Sequence, residues 1–221
     1  MFYLKKNIQC PISYNKIPLS TPLEDLSFIV FDTETTGFQV ATTDRLIEIG
    51  AVPLKGFNVQ EENTFQTYVN PKRQISREIT ELTSITNEKV VGAPLSFEAI
   101  TSFFDYIQSW ETVCLVGHYV SFDTLVLKSE LKREKFNLKN LFTIDTLDLI
   151  GFLAPSFDMR DLERYAMAFG TRIYDRHSAK GDALTTAYLF QELLLQFRDR
   201  GFKTLGELMK ATDSQVRTLQ F

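Results

Sequence analysis

The sequence predicts an α/β fold, with one mixed sheet flanked by helices in a single main domain. Three observations carry this. Strand-like segments at Phe28 to Phe31, Arg45 to Leu54 and Asn63 to Val69 follow one another with only turns between them, the order of an antiparallel meander. From Ser76 onward the apolar spacing becomes helical, and two short apolar strands at Val113 to Gly117 and Leu141 to Ile144 are separated by helices, which suits parallel pairing. The 221 residues, 44% hydrophobic and 24% charged, suffice for one sizeable core with an appendage.

Taken in order, Met1 to Pro22 carries three prolines and no clean periodicity, so residues 1–22 read as an N-terminal arm or short packed extension. Residues 23–200 read as the main domain. Phe28 to Phe31 is rich in large and β-branched residues and reads as a buried strand. Arg45 to Leu54 is the second strand, Gly56 to Glu62 turns the chain back, and Pro71 ends the third. A short helix is expected over Ser76 to Thr83. Ser96 is the expected cap of a helix from Phe97 to Trp110, with Phe97, Ile100, Phe103, Phe104 and Ile107 on one core-facing side. Ser121 is the expected cap of a helix over Phe122 to Lys135. Asp158 should start a helix through Ala168, closed by Gly170. Ala179 to Arg198 is a long helix, and residues 201–221 form a C-terminal helical tail.

Composition narrows the function. The formal net charge is −4 and the pI about 5.3. A protein that grips long duplex nucleic acid through phosphates is usually basic. Any nucleic-acid partner is therefore expected to be held locally, at a strand end and through metal. Cys10 and Cys114 have no metal-ligand spacing, and Cys114 in its apolar run suits a reducing compartment. The first residues lack the apolar run of a signal peptide, and no segment approaches a membrane span. The expected localisation is cytoplasmic, with no membrane partner.

The chemistry is concentrated where the first strand ends, in FDTETTGF. Residues two apart on a strand share a face, so Asp32 and Glu34 project together. Adjacent carboxylates repel unless a cation lies between them, and Mg²⁺ or Mn²⁺ suits oxygen ligands. An acidic strand end in solvent reads equally well from this pattern alone. Thr35, Thr36 and Gly37 form a tight turn that can aim backbone N–H groups at a ligand. Acidic residues recur in GHYVSFD, where Asp123 falls in the first turn of a helix, and in HSAKGDA, where His177 precedes the long helix and Asp182 lies early on it. Phosphodiester hydrolysis by two divalent ions about 3.5–4 Å apart needs several carboxylates and a base of near-neutral pKa. Asp32, Glu34, Asp123, Asp182 and His177 supply those groups, although spacing does not show that they converge.

FDTETTG, HYVSFD and H-x4-D, in this order over roughly three-quarters of the chain, resemble the DEDD 3′–5′ exonucleases of the histidine subclass. This superfamily contains the proofreading epsilon subunit of DNA polymerase III and, more distantly, RNase T and oligoribonuclease. The resemblance implies a ribonuclease H-like, five-stranded mixed sheet flanked by helices. It implies two Mg²⁺ or Mn²⁺ ions held by Asp32, Glu34, Asp123 and Asp182, with His177 as general base. It places Thr35, Thr36, Gly37, Phe38, Leu82, Ile85 and Phe122 against the terminal nucleotides, and makes Glu48 a typical strand residue that is no ligand. Tyr119 stands where many relatives have Asn, and Ser84 where they often have Gly; the Tyr119 ring suits either stacking on a base or filling a gap.

His118 reads as a structural hydrogen-bonding residue, and Asp145 and Asp148 as helix-start residues. Arg172, Arg176 and Lys180 form either a solvated loop or a positive rim. Lys132, Arg133, Lys135 and Lys139 read as a solvated helix end. Gln215 to Phe221 resembles the glutamine-led peptides that dock on sliding clamps, one residue out of step, with a packed terminus the default. The expected function is a metal-dependent 3′–5′ exonuclease acting on single-stranded or frayed DNA ends, in proofreading or repair. Its expected partners are a single-stranded 3′ end and a DNA polymerase or clamp component. The alternatives are a 3′–5′ exoribonuclease and a non-catalytic polymerase-associated subunit.

Overall fold

A computed structural model describes residues 6–156 and 161–213. The strands are β1 (Lys6–Gln9), β2 (Ser27–Thr35), β3 (Leu46–Lys55), β4 (Asn58–Val59), β5 (Phe65–Tyr68), β6 (Cys114–Gly117), β7 (Phe136–Lys139) and β8 (Thr143–Asp145). The helices are α1 (Arg77–Thr83), α2 (Asn87–Val91), α3 (Ser96–Gln108), α4 (Val120–Arg133), α5 (Thr146–Leu153), α6 (Leu162–Ala168), α7 (Ala179–Asp199) and α8 (Leu205–Thr212).

The main sheet runs β4-β3-β2-β6-β8, with β5 also on β3. β3 pairs antiparallel with β2, β4 and β5, while β6 lies parallel to both β2 and β8. The expected mixed sheet flanked by helices is present. It has six strands rather than five because the turn after β3 itself pairs, at Leu54↔Val59 and Lys55↔Asn58. β1 and β7, which the sequence pattern did not mark as strands, form a separate parallel pair. Through that pair the arm carries Cys10 and Ile12 into the core. At its other end the arm meets the start of α8, where the Leu205 and Gly206 N–H groups donate to Thr21 O and Leu19 O.

The central strand is buried on both faces. Phe28 and Val30 face the core built with α5, α7 and α8, while Ile29 and Phe31 face the core built with α3 and α4. This is why β2 reads as an unbroken apolar run rather than an alternating one. α3 forms as expected, with Ile100, Phe103, Phe104 and Ile107 buried. Its cap, however, is Leu95, with the Glu98 side chain accepting from the Leu95 N–H. α4 begins at Val120 rather than Phe122, its cap being Tyr119 in a left-handed conformation. α6 is capped by Asp161, whose carboxylate accepts from Arg164 N–H; the expected start at Asp158 lies outside the described residues. Glu130, 1% exposed, accepts from Arg45, Arg133 and the Leu46 N–H, and so fastens α4 to the start of β3. Among the described residues no helix is long and apolar enough to cross a membrane.

One approach governs the geometry. A Cβ on Gly50 of β3 would lie 2.2 Å from the Ala179 carbonyl carbon and from Lys180 N. The first turn of α7 rests directly on strand backbone, which only glycine permits. Gly50→Ala is expected to cost about 3 kcal/mol and about 6–12 °C in Tm. Gly92→Ala, with nothing within 4 Å of the added Cβ, should change stability by less than about 0.5 kcal/mol. Thermal melts of the two variants check this, and equal Tm values would show that α7 does not need that contact.

Candidate active site

The alternation along β2 decides which acids meet. Asp32 and Glu34 continue the Phe28 and Val30 row, on the side where α7 packs, and Thr33 continues the Ile29 and Phe31 row, on the side of α4. Asp182, in the first turn of α7, lies with Asp32 and Glu34, one carboxylate oxygen from each falling within 4.8 Å of the others. Asp123, in the first turn of α4, arrives from the opposite layer. Its Oδ1 accepts from Thr33 Oγ1 at 2.6 Å, and its charge acts on both Asp32 and Glu34. β2 pairs with β6 only as far as Val30, so the strand end is open where α4 begins.

Electrostatics mark this as a costly cluster. Burial, then Asp123, Asp182 and Glu34, hold the Asp32 carboxyl well above the usual carboxylate range. Burial, then Asp182, Glu48 and Asp123, push Glu34 up to about 8. Burial raises Asp123 to about 7 against hydrogen bonds from Thr33. Burial also raises Asp182, opposed chiefly by Arg176. Arg176 is turned inward, its guanidinium paired with the Asp182 carboxylate, and so supplies part of the missing positive charge. Every donor in the cluster is a carboxylate oxygen, the ligand type that hard divalent cations take.

His177 is exposed beside the acids. Its backbone is left-handed (φ 59°) and its N–H donates to Asp182 Oδ2 at 3.2 Å. Thr35 and Thr36 are buried in the turn, with Thr36 Oγ1 donating to Asp44 Oδ1 at 3.0 Å. Gly37 has φ +152°, a conformation that a side chain rarely tolerates. Phe38 is 85% exposed and meets the half-buried Phe122 edge to face, ring centroids 5.9 Å apart. Leu82 is 47% exposed. Ile85 corrects the expectation. It is 1% exposed and packs with Ile47, Ile75 and Val90, so it supports the α1 region from beneath and offers no surface to a nucleotide. Of the basic trio, Arg172 is occupied by Glu61 and stacks over Tyr188. Lys180 lines a groove of about 550 Å³ with Gln66, Ser178 and Leu184.

Three residues support the site in ways that the pattern reading did not give. Thr33 holds Asp123. Glu48, buried opposite Glu34 in the β2–β3 pairing, accepts the first N–H of α7 from Ala179 at 2.9 Å and a bond from Gln66 at 2.6 Å. A lone acid inside the apolar run LIEIGAV was the available signal. Asp145 does more than start α5, because its carboxylate accepts from Leu147, Tyr119 and Val120 N–H groups and ties α5 to α4. His118 Nδ1 lies 2.7 Å from Thr146 Oγ1, in keeping with a structural role.

Residues 29–190 match the exonuclease family model that carries the name of RNase T. The chain belongs to this exonuclease family. It is 35% identical over 196 residues to a PolC-type DNA polymerase III of Caldanaerobacter subterraneus subsp. tengcongensis, covering 87% of this chain and 14% of the relative. It is 35% identical over 200 residues to the Bacillus subtilis PolC-type enzyme, covering 90% and 13%. The exonuclease chain thus spans about one-seventh of the length of these polymerases. Among solved structures, Exonuclease X in complex with 5′ overhanging duplex DNA aligns with TM-score 0.62 at 21% identity, covering 84% of this chain and 99% of that one. E. coli Exonuclease I with a dT13 oligonucleotide aligns with TM-score 0.65 at 20% identity, covering 80% and 43%. At such identities the two structures establish the shared ribonuclease H-like fold.

The raised carboxyl pKa values give a pH dependence with a definite sign. In the unfolded chain these acids ionise near pH 4, and in the folded chain Glu34 does so near 8. Between those limits the folded state binds more protons, so stability is greatest at the acidic end and falls as pH rises. In EDTA, Tm should drop by about 5 °C or more between pH 5 and 8, and Glu34→Gln should flatten the curve. A melt series that rises over this window would contradict the burial of these acids.

Proposed function

We propose that this chain is a metal-dependent 3′–5′ exonuclease that releases nucleoside 5′-monophosphates from single-stranded or frayed DNA ends. The observation that supports it most is the gathering of Asp32, Glu34 and Asp182, with Asp123 beside them, at the open end of β2. The all-oxygen donor set and the mutual repulsion of its carboxylates fit two divalent cations, Mg²⁺ or Mn²⁺, with these four acids as the ligands. Bound there, the cations would neutralise the acids and stabilise charge developing on the phosphate.

The chain's own residues do the rest. His177, exposed next to Asp182, accepts a proton from the attacking water as general base. The rigid turn from Thr35 to Gly37 orients the terminal nucleotide. Phe38 and Phe122 offer apolar ring surface on which an unpaired base stacks, and Leu82, 47% exposed on α1, offers a further apolar contact. Stacking requires a base freed from its partner, which favours single strands and frayed ends. DNA is the preferred substrate on the strength of the relatives, which are DNA polymerases by name. By the same token the exonuclease domain, residues 23–200, works alongside a DNA polymerase in the cytoplasm, with the arm and tail as its docking segments. The clamp-like stretch at Gln215 to Phe221 lies outside the described residues.

Purified protein, a 3′-labelled single strand and Mn²⁺ should yield labelled mononucleotide, and Asp32→Ala should abolish it. His177→Ala should keep strand binding while turnover falls by about 10²–10⁴. Matched DNA and RNA strands degraded side by side test the choice of sugar. Absence of mononucleotide, or its release by Asp32→Ala, overturns the reading.

A further inference from the structure

A second recess lies between the turn that follows Phe38 and the outer face of α4. It has a volume of about 530 Å³, with Ala41 and Thr42 on one side and Leu125, Lys128 and Lys132 on the other. The spacing of Leu125, Lys128 and Lys132 puts all three on one exposed stripe of the helix, roughly 10 Å long. Phe122, three residues before Leu125 on the same helix, meets Phe38, so the ring pair and the recess lie along one side of α4.

Its charge is unusual for this molecule. The chain is acidic overall, with net charge −4. Two of the acids around it are already matched: Asp44 pairs with Arg73, and Glu130 with Arg45 and Arg133. Arg133 also donates to the Val40 and Thr42 carbonyls, which fixes the wall of the recess. Among the described residues, Lys128 and Lys132 form no ion pair within 4 Å. Both are exposed beside Leu125, itself 43% exposed. Two uncompensated cations around an apolar floor, next to the aromatic edge of the cleft, match a single-stranded nucleic acid better than a protein helix, which would leave those charges unmatched.

We propose that this recess binds the sugar-phosphate backbone of the substrate strand upstream of its 3′ end, with Lys128 and Lys132 each neutralising a phosphate and Leu125 meeting a sugar or base. The proposal rests on the exonuclease reading for which end of the strand lies in the cleft. It resolves how an acidic protein keeps hold of a polyanion, because attraction is confined to one ledge.

The test measures binding to labelled oligothymidylates of two nucleotides and of about 20 nucleotides in Ca²⁺, across a salt series. For the longer strand, the double substitution Lys128→Glu, Lys132→Glu should lower affinity on the order of tenfold at about 0.1 M salt. Its slope of log affinity against log salt should fall by about 1.4. The dinucleotide, too short to reach the ledge, should lose much less. Lys128→Gln, Lys132→Gln should show the same length dependence with a smaller loss, which separates lost attraction from introduced repulsion. Unchanged affinity and slope for the long strand, or equal losses for both lengths, would overturn the proposal. Lysine-dependent binding by a wild-type protein that releases no mononucleotide would keep the ledge and remove the exonuclease reading alone.

Discussion

The architecture depends on the seating of the first turn of α7 against β3. At Gly50 the helix backbone meets strand backbone with no room for a methyl group. Glu48, two residues earlier, accepts the Ala179 N–H and so caps the same turn. A helix held this closely has little freedom to slide or roll, because any shift costs both the cap and the packing. Asp182 rides on that turn. Its distance from Asp32 and Glu34 is therefore set by a backbone contact rather than by the reach of a flexible side chain.

The opposite wall is built by a different route to the same end. α4 is anchored at its start by Asp145, which accepts from Tyr119 and Val120 N–H groups. Further along, Glu130 ties it to Arg45 and Arg133. Between these anchors Asp123 is held by Thr33. Two helices on opposite faces of the sheet thus deliver one acid each to the end of a single strand. Repulsion among these acids favours their separation, and the surrounding fold opposes it. Stability is given up locally to keep a highly charged site assembled, a pattern common at functional sites.

Much of this was legible in the residues. The meander followed by helix-separated strands was visible because buried strands are short apolar runs and helices carry a 3.6-residue stripe. The Asp32 and Glu34 pair was visible because strand periodicity is two. What stayed hidden had no periodic signature. β1 and β7 are four-residue strands with mostly polar or half-exposed residues, held by pairing with each other. The start of α4 was misplaced because its cap is a left-handed Tyr119 rather than Ser121, and no simple propensity favours tyrosine there. Ile85 was placed at the substrate by the resemblance alone, which carries no information on burial; only packing against Ile47, Ile75 and Val90 shows that it points inward.

By itself the sequence determined the fold class, the placing of each acid at an element end and, by resemblance, the family. These are local properties, written in periodicity and in short motifs. The tertiary structure alone decided that acids as far apart as Asp32 and Asp182 come together, that Arg176 turns inward to pair with Asp182, and that Lys128 and Lys132 line one recess with Ala41 and Thr42. Those facts depend on which helix face meets which strand. Such contacts join residues distant along the chain, and no spacing rule encodes them.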